Sequence, residues 1–404
     1  MAYTFTQTPP SLSLAESPIV FTALDTTNVG KDQYQYVLKL KYWTGSFAQE
    51  PAAFNYVLQK YPNASARGIF DVSKILGSLF VGAEQDYHQM YNFKVYGNYV
   101  YYTASTGTYV TSSTDVTSSI NQTIDGYQLF NSSSYIGEPA QSESAIWPIM
   151  SSAPTTQSSY ICSYCGGTGN YGLMSVLNFY NSSDGVTYTA VDYDGTTRTR
   201  SDSWTSTNVT GSTTGSVTQV ASGINVLNLL YPNFITADTS YYTVQIKNGG
   251  VAIPSASVRF NVVDECKYTP VVIKFKNQFG QFDYITFPKS NTTDFNVSEN
   301  VYQPQIGTWE STALNIANYS TLRKRYYVDT EENLEVNTTF IPEYWNEWIK
   351  QLLVSDEVYW VPNNNTIIPL IIKTKSLTFK TQVNDKLINY TIAFTLGRSY
   401  KLIL

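Results

Sequence analysis

Apolar residues recur at every second position in many short stretches of this chain, and at helical spacing in only two. Tyr34, Tyr36, Leu38, Leu40 and Tyr42 alternate with Gln35, Val37, Lys39 and Lys41, the period of a half-buried strand. Short strands are predicted likewise at 54–58, 93–96, 173–180, 186–191, 223–229, 241–246, 256–263, 358–361, 367–374, 377–383 and 388–396, and residues 400–404 can add an edge strand. Ser182 to Gly185, Asp194-Gly195, Asn363 to Asn365 and Asn384-Asp385 supply turn chemistry between them. Helical spacing appears first where Asp71 can cap Val72, Ile75, Leu76, Leu79 and Phe80. It returns where Pro342 and Glu343 precede Trp345, Trp348, Ile349, Leu352 and Leu353. The pattern therefore predicts an all-β protein of two to three β-sandwich-like domains with a few short helices.

Residues 266–288 read as the centre of this organisation. Val271 to Lys276 is rich in β-branched and aromatic residues, with Lys274 and Lys276 expected on the outer face. Asn277 to Gly280 supplies a turn in which Gly280 is free to take positive φ. Tyr284 to Phe287 resumes as a strand, and Pro288 ends its pairing.

The shifts in pattern divide the chain into five parts. Residues 1–17 read as an N-terminal arm around Thr8-Pro-Pro-Ser11, free in solution or lying on a neighbour. Residues 18–110 form a β-sandwich domain, and 111–158 a linker or long loop region. Residues 159–265 form a second β domain, with a Ser/Thr-rich loop or hairpin at 196–215. Residues 266–404 form a C-terminal antiparallel β domain with one amphipathic helix, 341–354.

Composition adds a surface argument. Charged residues are only 14% of the 404, while aromatics are 15% with 34 Tyr, so hydroxyl and amide side chains take the place of charge. Tyr offers a large contact area with few rotors and a polar tip, as subunit interfaces use it. The net charge of −6 comes with no basic block, which argues against a nucleic-acid groove. Arg323-Lys324-Arg325, the best local cluster, reads as the start of a strand or a subunit ion-pair site. No apolar run approaches membrane-spanning length, and the first residues lack a leader pattern, so cytoplasmic synthesis with free thiols is expected.

The chemical motifs are thin. Cys162 and Cys165 have the spacing of half a zinc site, but Cys266 is the only other cysteine and His88 the only histidine. Buried structural thiols are the simpler reading. Asp192 and Asp194 fit a hairpin turn better than a calcium loop, and Glu331, Glu332 and Glu335 fit a solvated face. There is no nucleophile elbow and no phosphate-cradling glycine loop. No catalytic set, cofactor or metal is expected.

Three stretches together resemble virion structural proteins of tailed bacteriophages, especially crAss-like and related phages. They are Gly68-Ile-Phe-Asp-Val-Ser-Lys-Ile-Leu76, the N-x-x-G-x-F-D run from Asn277 to Asp283 followed by Phe287-Pro288, and the run from Trp345 through Trp360 to Phe394. The resemblance implies a tail or neck component, assembled in the bacterial host cytoplasm and retained in the virion. It also implies a symmetric ring or hub of identical copies in contact with neighbouring tail or neck proteins. Candidate contact residues are Phe279, Phe282, Trp345, Trp348, Tyr359 and Trp360. A receptor- or carbohydrate-binding protein of a tail tip or fibre is the alternative, since exposed Tyr and Trp stack on sugars. A polysaccharide depolymerase, which needs only two carboxylates, ranks third.

Overall fold

The structure is a computed structural model. It describes residues 3–80, 90–127, 160–163, 173–178, 185–203, 216–248, 250–263, 267–305, 307–316, 323–363, 366–379 and 388–397. The protein is mostly β, built of several antiparallel sheets with a few short helices. It divides into two compact units. Unit 1 comprises Met1–Cys162, Gly169–Val263 and Lys276–Asp283. Unit 2 comprises Ser163–Thr168, Asp264–Phe275 and Tyr284–Leu404.

Unit 1 begins with a sandwich. A three-stranded sheet orders Tyr3–Gln7, Val20–Asp25 and Arg67–Asp71. A seven-stranded sheet runs Leu12–Leu14, Asn121–Ile124, Tyr91–Thr103, Gln35–Trp43 and Tyr56–Lys60, with Thr108–Thr111 and Val116–Thr117 also pairing Tyr91–Thr103. Their inner faces meet in one core that holds Phe21, Tyr36, Leu38, Leu40, Phe70, Phe93 and Val95. The helix Ser73–Gly77 adds Leu76 to that core, and Asp71 Oδ1 accepts from the Ser73 and Ile19 backbone N–H groups.

Residues 1–17 are not an arm. Tyr3–Gln7 pairs with Val20–Asp25, and Leu12–Leu14 pairs in parallel with Asn121–Ile124. The Tyr3 ring lies over Gly97, where an added Cβ would sit 2.3 Å from Cε1, so a missing side chain makes the seat for an aromatic one. The sandwich also reaches past residue 110, because the strands Val116–Thr117 and Asn121–Ile124 belong to it. Residues 128–158 of the expected linker lie outside the described residues.

A five-stranded sheet in the next region orders Tyr160–Ser163, Val251–Val263, Thr239–Asn248, Gly185–Asp192 and Thr197–Ser203. Two expectations change here. The strand Leu173–Asn178 pairs with Ser216–Ala221, not with Gly185–Asp192. Residues expected as a strand at 223–229 form the helix Ile224–Leu230. A short apolar run carries no clear period. Burial of Ile224 and Leu227 on one turn decides it, and the Asn228 side chain holds the helix by donating to Ile235 O and accepting from Ile235 N.

Unit 2 is built on a seven-stranded sheet. Its order is Phe282–Phe287, Val271–Lys276, Val358–Asn363, Thr366–Ile372, Thr391–Leu396, Lys324–Asn337 and Thr292–Tyr302. The expected helix is present as a 3-10 turn, Glu343–Trp345, followed by Asn346–Val354. Residues 373–379 do not form the strand expected at 377–383, and the remainder of that segment and residues 400–404 lie outside the described residues. No helix among the described residues is long and apolar enough to cross a membrane.

Candidate functional site

The expected contact residues divide by burial. Trp345 and Trp348 are 4% and 1% exposed, with ring centroids 5.1 Å apart and Trp348 set against Phe275. This corrects their assignment as contact residues: the apolar stripe of the helix that carries them is spent inside unit 2. Phe279 packs against Leu12, Met90 and Ile124 in unit 1. Phe282, Tyr359 and Trp360 are half-buried. Tyr359 Oη donates to Glu357 Oε2 at 2.9 Å, and burial, with that carboxylate, pushes the phenol up to about 12.

The two lysines expected to face outward are also buried. Lys274 is 5% exposed, and burial pushes its ammonium down to about 8 while Glu357 pulls the other way. Lys276 is 6% exposed and lies 2.9 Å from Asp125 Oδ2 and 3.0 Å from Glu16 Oε1, all within unit 1. Burial lifts Asp125 to about 6 despite the attraction of Lys276. The backbones around this cluster come close enough to require glycine. Gly126 and Gly280 have φ of +119° and +68°, and a Cβ on Gly280 would sit 2.5 Å from Asp125 Cβ. The Asn277 side chain closes the turn, accepting from Phe279 N and Gln281 N. These groups account for one another as a structural lock.

The other chemical candidates resolve as structure where they are described. Asp192 binds Arg198, which also donates to Phe234 O and Thr239 Oγ1, and Asp194 caps the turn through Thr196 N. His88, Cys165 and Cys266 lie outside the described residues, as does the side chain of Cys162. Among the described residues no group of three His, Cys, Asp or Glu is placed to hold a metal ion.

The surface that stands out is one the sequence reading passed over. Thr292–Tyr302 pairs along its full length with Lys324–Asn337, from Thr292 opposite Glu335 to Tyr302 opposite Lys324. The rest of the sheet meets Lys324–Asn337 only at Asn333 to Asn337, through Thr391–Leu396. Beyond that point the two strands form a ribbon with no third strand among the described residues.

Residues directly opposite in an antiparallel pair share a face. One face carries Phe295 with Glu332, Val297 with Thr330, and Glu299 with Val328. It continues from Leu334 and Val336, which are 1% and 0% exposed, so the inner face of the sheet runs on past its own core. Phe295, Val297 and Val301 on this face are 51%, 50% and 47% exposed. The opposite face is polar, with Asp294, Asn296, Ser298, Asp329 and Glu331. There Lys373 lies 3.2 Å from Glu331 and holds its carboxyl below the usual range, whereas Arg325 pairs with Glu299 on the first face.

A small hairpin, Thr308–Glu310 with Ala313–Asn315, sets Trp309 opposite Leu314, and Trp309 is 72% exposed. The odd-numbered set Phe295, Val297 and Val301 was the signal available in the sequence.

Comparison with protein-family models finds no match, and none is found among curated proteins. Among solved structures, the native conformation of E. coli alpha-2-macroglobulin, determined by single-particle cryo-EM, is similar over 83% of this chain at 8% identity, with a TM-score of 0.21. This chain spans 21% of that one. A likeness so shallow fixes neither family nor function.

Proposed function

We propose that this protein is a structural subunit that assembles with copies of itself and with neighbouring proteins, as a tail or neck component of a bacteriophage virion. The observation that carries the reading is the inner face of the unit 2 sheet continuing along an exposed ribbon, where Phe295, Val297 and Val301 are about half exposed among Glu299, Arg325 and Glu332. Removing such a face from water is worth ~25 cal/mol per Å², so a partner that covers it gains strongly. The virion assignment rests on the resemblance of residues 68–76, 277–288 and 345–394. The work of such a subunit is mechanical: extended strands add to or pack on a neighbour, and Tyr-rich polar surfaces complete the contact.

A second reading, a glycan-binding tail-tip protein, draws on Trp309, an exposed flat ring beside Leu314. Counting copies of the chain against the capsid protein in purified virions tests the first reading. A small fixed number per particle is the expected result, and absence from particles overturns it. Binding of the isolated chain to glycans, lost on Trp309→Ala, would move the assignment to the second.

A further inference from the structure

Three stretches of backbone converge on Lys276, all within unit 1. The Ala15 and Glu16 N–H groups donate to Ile124 O and Gly126 O, and the Tyr127 N–H donates to Gln278 O. Lys276 ends one strand, and Asp125 directly follows another, Asn121–Ile124. Lys276 Nζ donates to Glu16 Oε1 at 3.0 Å and lies 2.9 Å from Asp125 Oδ2. The second contact is close without the alignment of a hydrogen bond, and Asp125 Oδ2 accepts none among the described residues. Asp125 Oδ1 accepts from the Gly126 N–H at 2.9 Å. The side chains of Asp125 and Lys276 are 1% and 7% exposed, whereas that of Glu16 is 41% exposed. An amine nitrogen therefore lies against one carboxyl oxygen, a backbone donor holds the other, and a second carboxylate links the nitrogen to solvent. These are the parts of an acyl transfer: nucleophile, acceptor, oxyanion donor and proton carrier.

We propose that Lys276 Nζ condenses with the Asp125 side chain, with Glu16 as the acid–base group, to form an amide that ties the hairpin tip covalently to the sandwich. Burial lifts the Asp125 carboxyl to about 6, so its neutral, electrophilic form is within reach near neutral pH. Burial works against the Lys276 ammonium, but Asp125 and Glu16 hold it above its ordinary value, so a proton must leave Nζ first. Glu16 takes that proton. The Nζ lone pair then forms a bond to Asp125 Cγ, and the charge on Oδ1 is held by the Gly126 N–H. Glu16 returns the proton to Oδ2, the Cγ–Oδ2 bond breaks, and water leaves. Nζ gives a second proton to Glu16 and from there to solvent. In sum, one ammonium and one carboxylate become one secondary amide and one water, with no oxidant, reductant or cofactor. Separate amines and acids do not condense in water, but partners held in place by a fold react at effective concentrations of up to ~10⁵–10⁸ M. Before the bond forms, the groups are the ion-paired cluster described above; afterwards residue 125 has no carboxyl to titrate.

Mass spectrometry of the purified full chain tests this. The wild-type chain is expected to be one water lighter than its sequence, and its digest to contain a peptide pair joined through Asp125 and Lys276. Asp125-Gly126 could also lose water by closing on its own backbone nitrogen, so the joined pair decides, not the mass alone. Lys276→Arg keeps the cation but is expected to give no joined pair. Glu16→Gln is expected to keep the near-ultraviolet circular dichroism of the wild-type chain and to slow bond formation by ~10²-fold or more. Digests of the folded wild-type chain in which Asp125 and Lys276 appear only on separate peptides overturn the proposal, whatever the mass and whether or not the variants fold. A joined pair that forms as fast in Glu16→Gln as in the wild-type chain overturns the part given to Glu16.

Discussion

The hairpin of Val271–Lys276 and Phe282–Phe287 and the ribbon of Thr292–Tyr302 and Lys324–Asn337 follow one another in the chain and invert one another in burial. The first buries its lysines, and every residue of Val271–Lys276 is inside. The second exposes Phe295, Val297 and Val301, and every residue of Thr292–Tyr302 is outside. Both alternate in a manner that reads as ordinary strand. Period two says which residues share a face; it does not say whether anything covers that face. Cover comes from distant parts of the chain or from another chain, and for Lys276 it is supplied by Asp125 and Glu16.

Substitutions can widen or collapse this contrast. Lys276→Met leaves Asp125 as a buried carboxylate without its cation, and a loss of ~3–5 kcal/mol is expected in denaturant unfolding. A loss under about 1 kcal/mol would mean that the hairpin tip is as tolerant as the ribbon. Gly280→Ala is next, since a side chain at φ +68° would also press on Asp125, and a cost of ~1–3 kcal/mol is expected.

The pH dependence follows from Asp125. Its folded carboxyl, at about 6, lies above the ordinary value of 3.8 because burial disfavours the charged form. The folded chain therefore binds the proton first as pH falls through that window, and by linkage this group adds stability as pH drops from about 6 to 4. The stability of the wild-type chain relative to Asp125→Asn should rise as pH falls over that range; a constant difference would show that the carboxyl is not held up. The smallest effect is expected on the ribbon. Phe295→Ala should change the unfolding free energy of the monomer by no more than about 0.5 kcal/mol, because half of the ring is already in water. A loss comparable to that of Lys276→Met would show that the ribbon is covered within its own chain.

Much of the fold was legible in local pattern. Residues 34–42, the helix around Trp348 and the positive φ of Gly280 all follow from spacing and turn chemistry that neighbours in sequence supply. What escaped depends on partners far away. Tyr3 becomes a strand residue because Gly97 leaves room for it. Residues 224–230 become a helix because Ile224 and Leu227 find a core. Lys276 turns inward because Asp125 is there to receive it. The ribbon escaped for the opposite reason. Its odd-numbered apolar residues are a local signal, but a strand with both faces in water has no place in a reading that assumes each apolar residue is buried by its own chain.

The reach from Glu16 to Lys276 also fixes an order of events. Their ion pair spans 260 positions, and Gln278, Phe279 and Gly280 close against Asp125 and Gly126 from about 150 positions away. Domains commonly complete themselves from the N-terminus as the chain leaves the ribosome. Unit 1 cannot, because Asp125 waits for a cation translated about 150 residues after it, at ~5–20 residues per second. For that interval, on the order of ten seconds or more, the nascent sandwich lacks its last wedge. Slow, late closure of this kind keeps unit 1 unfinished until most of the chain exists.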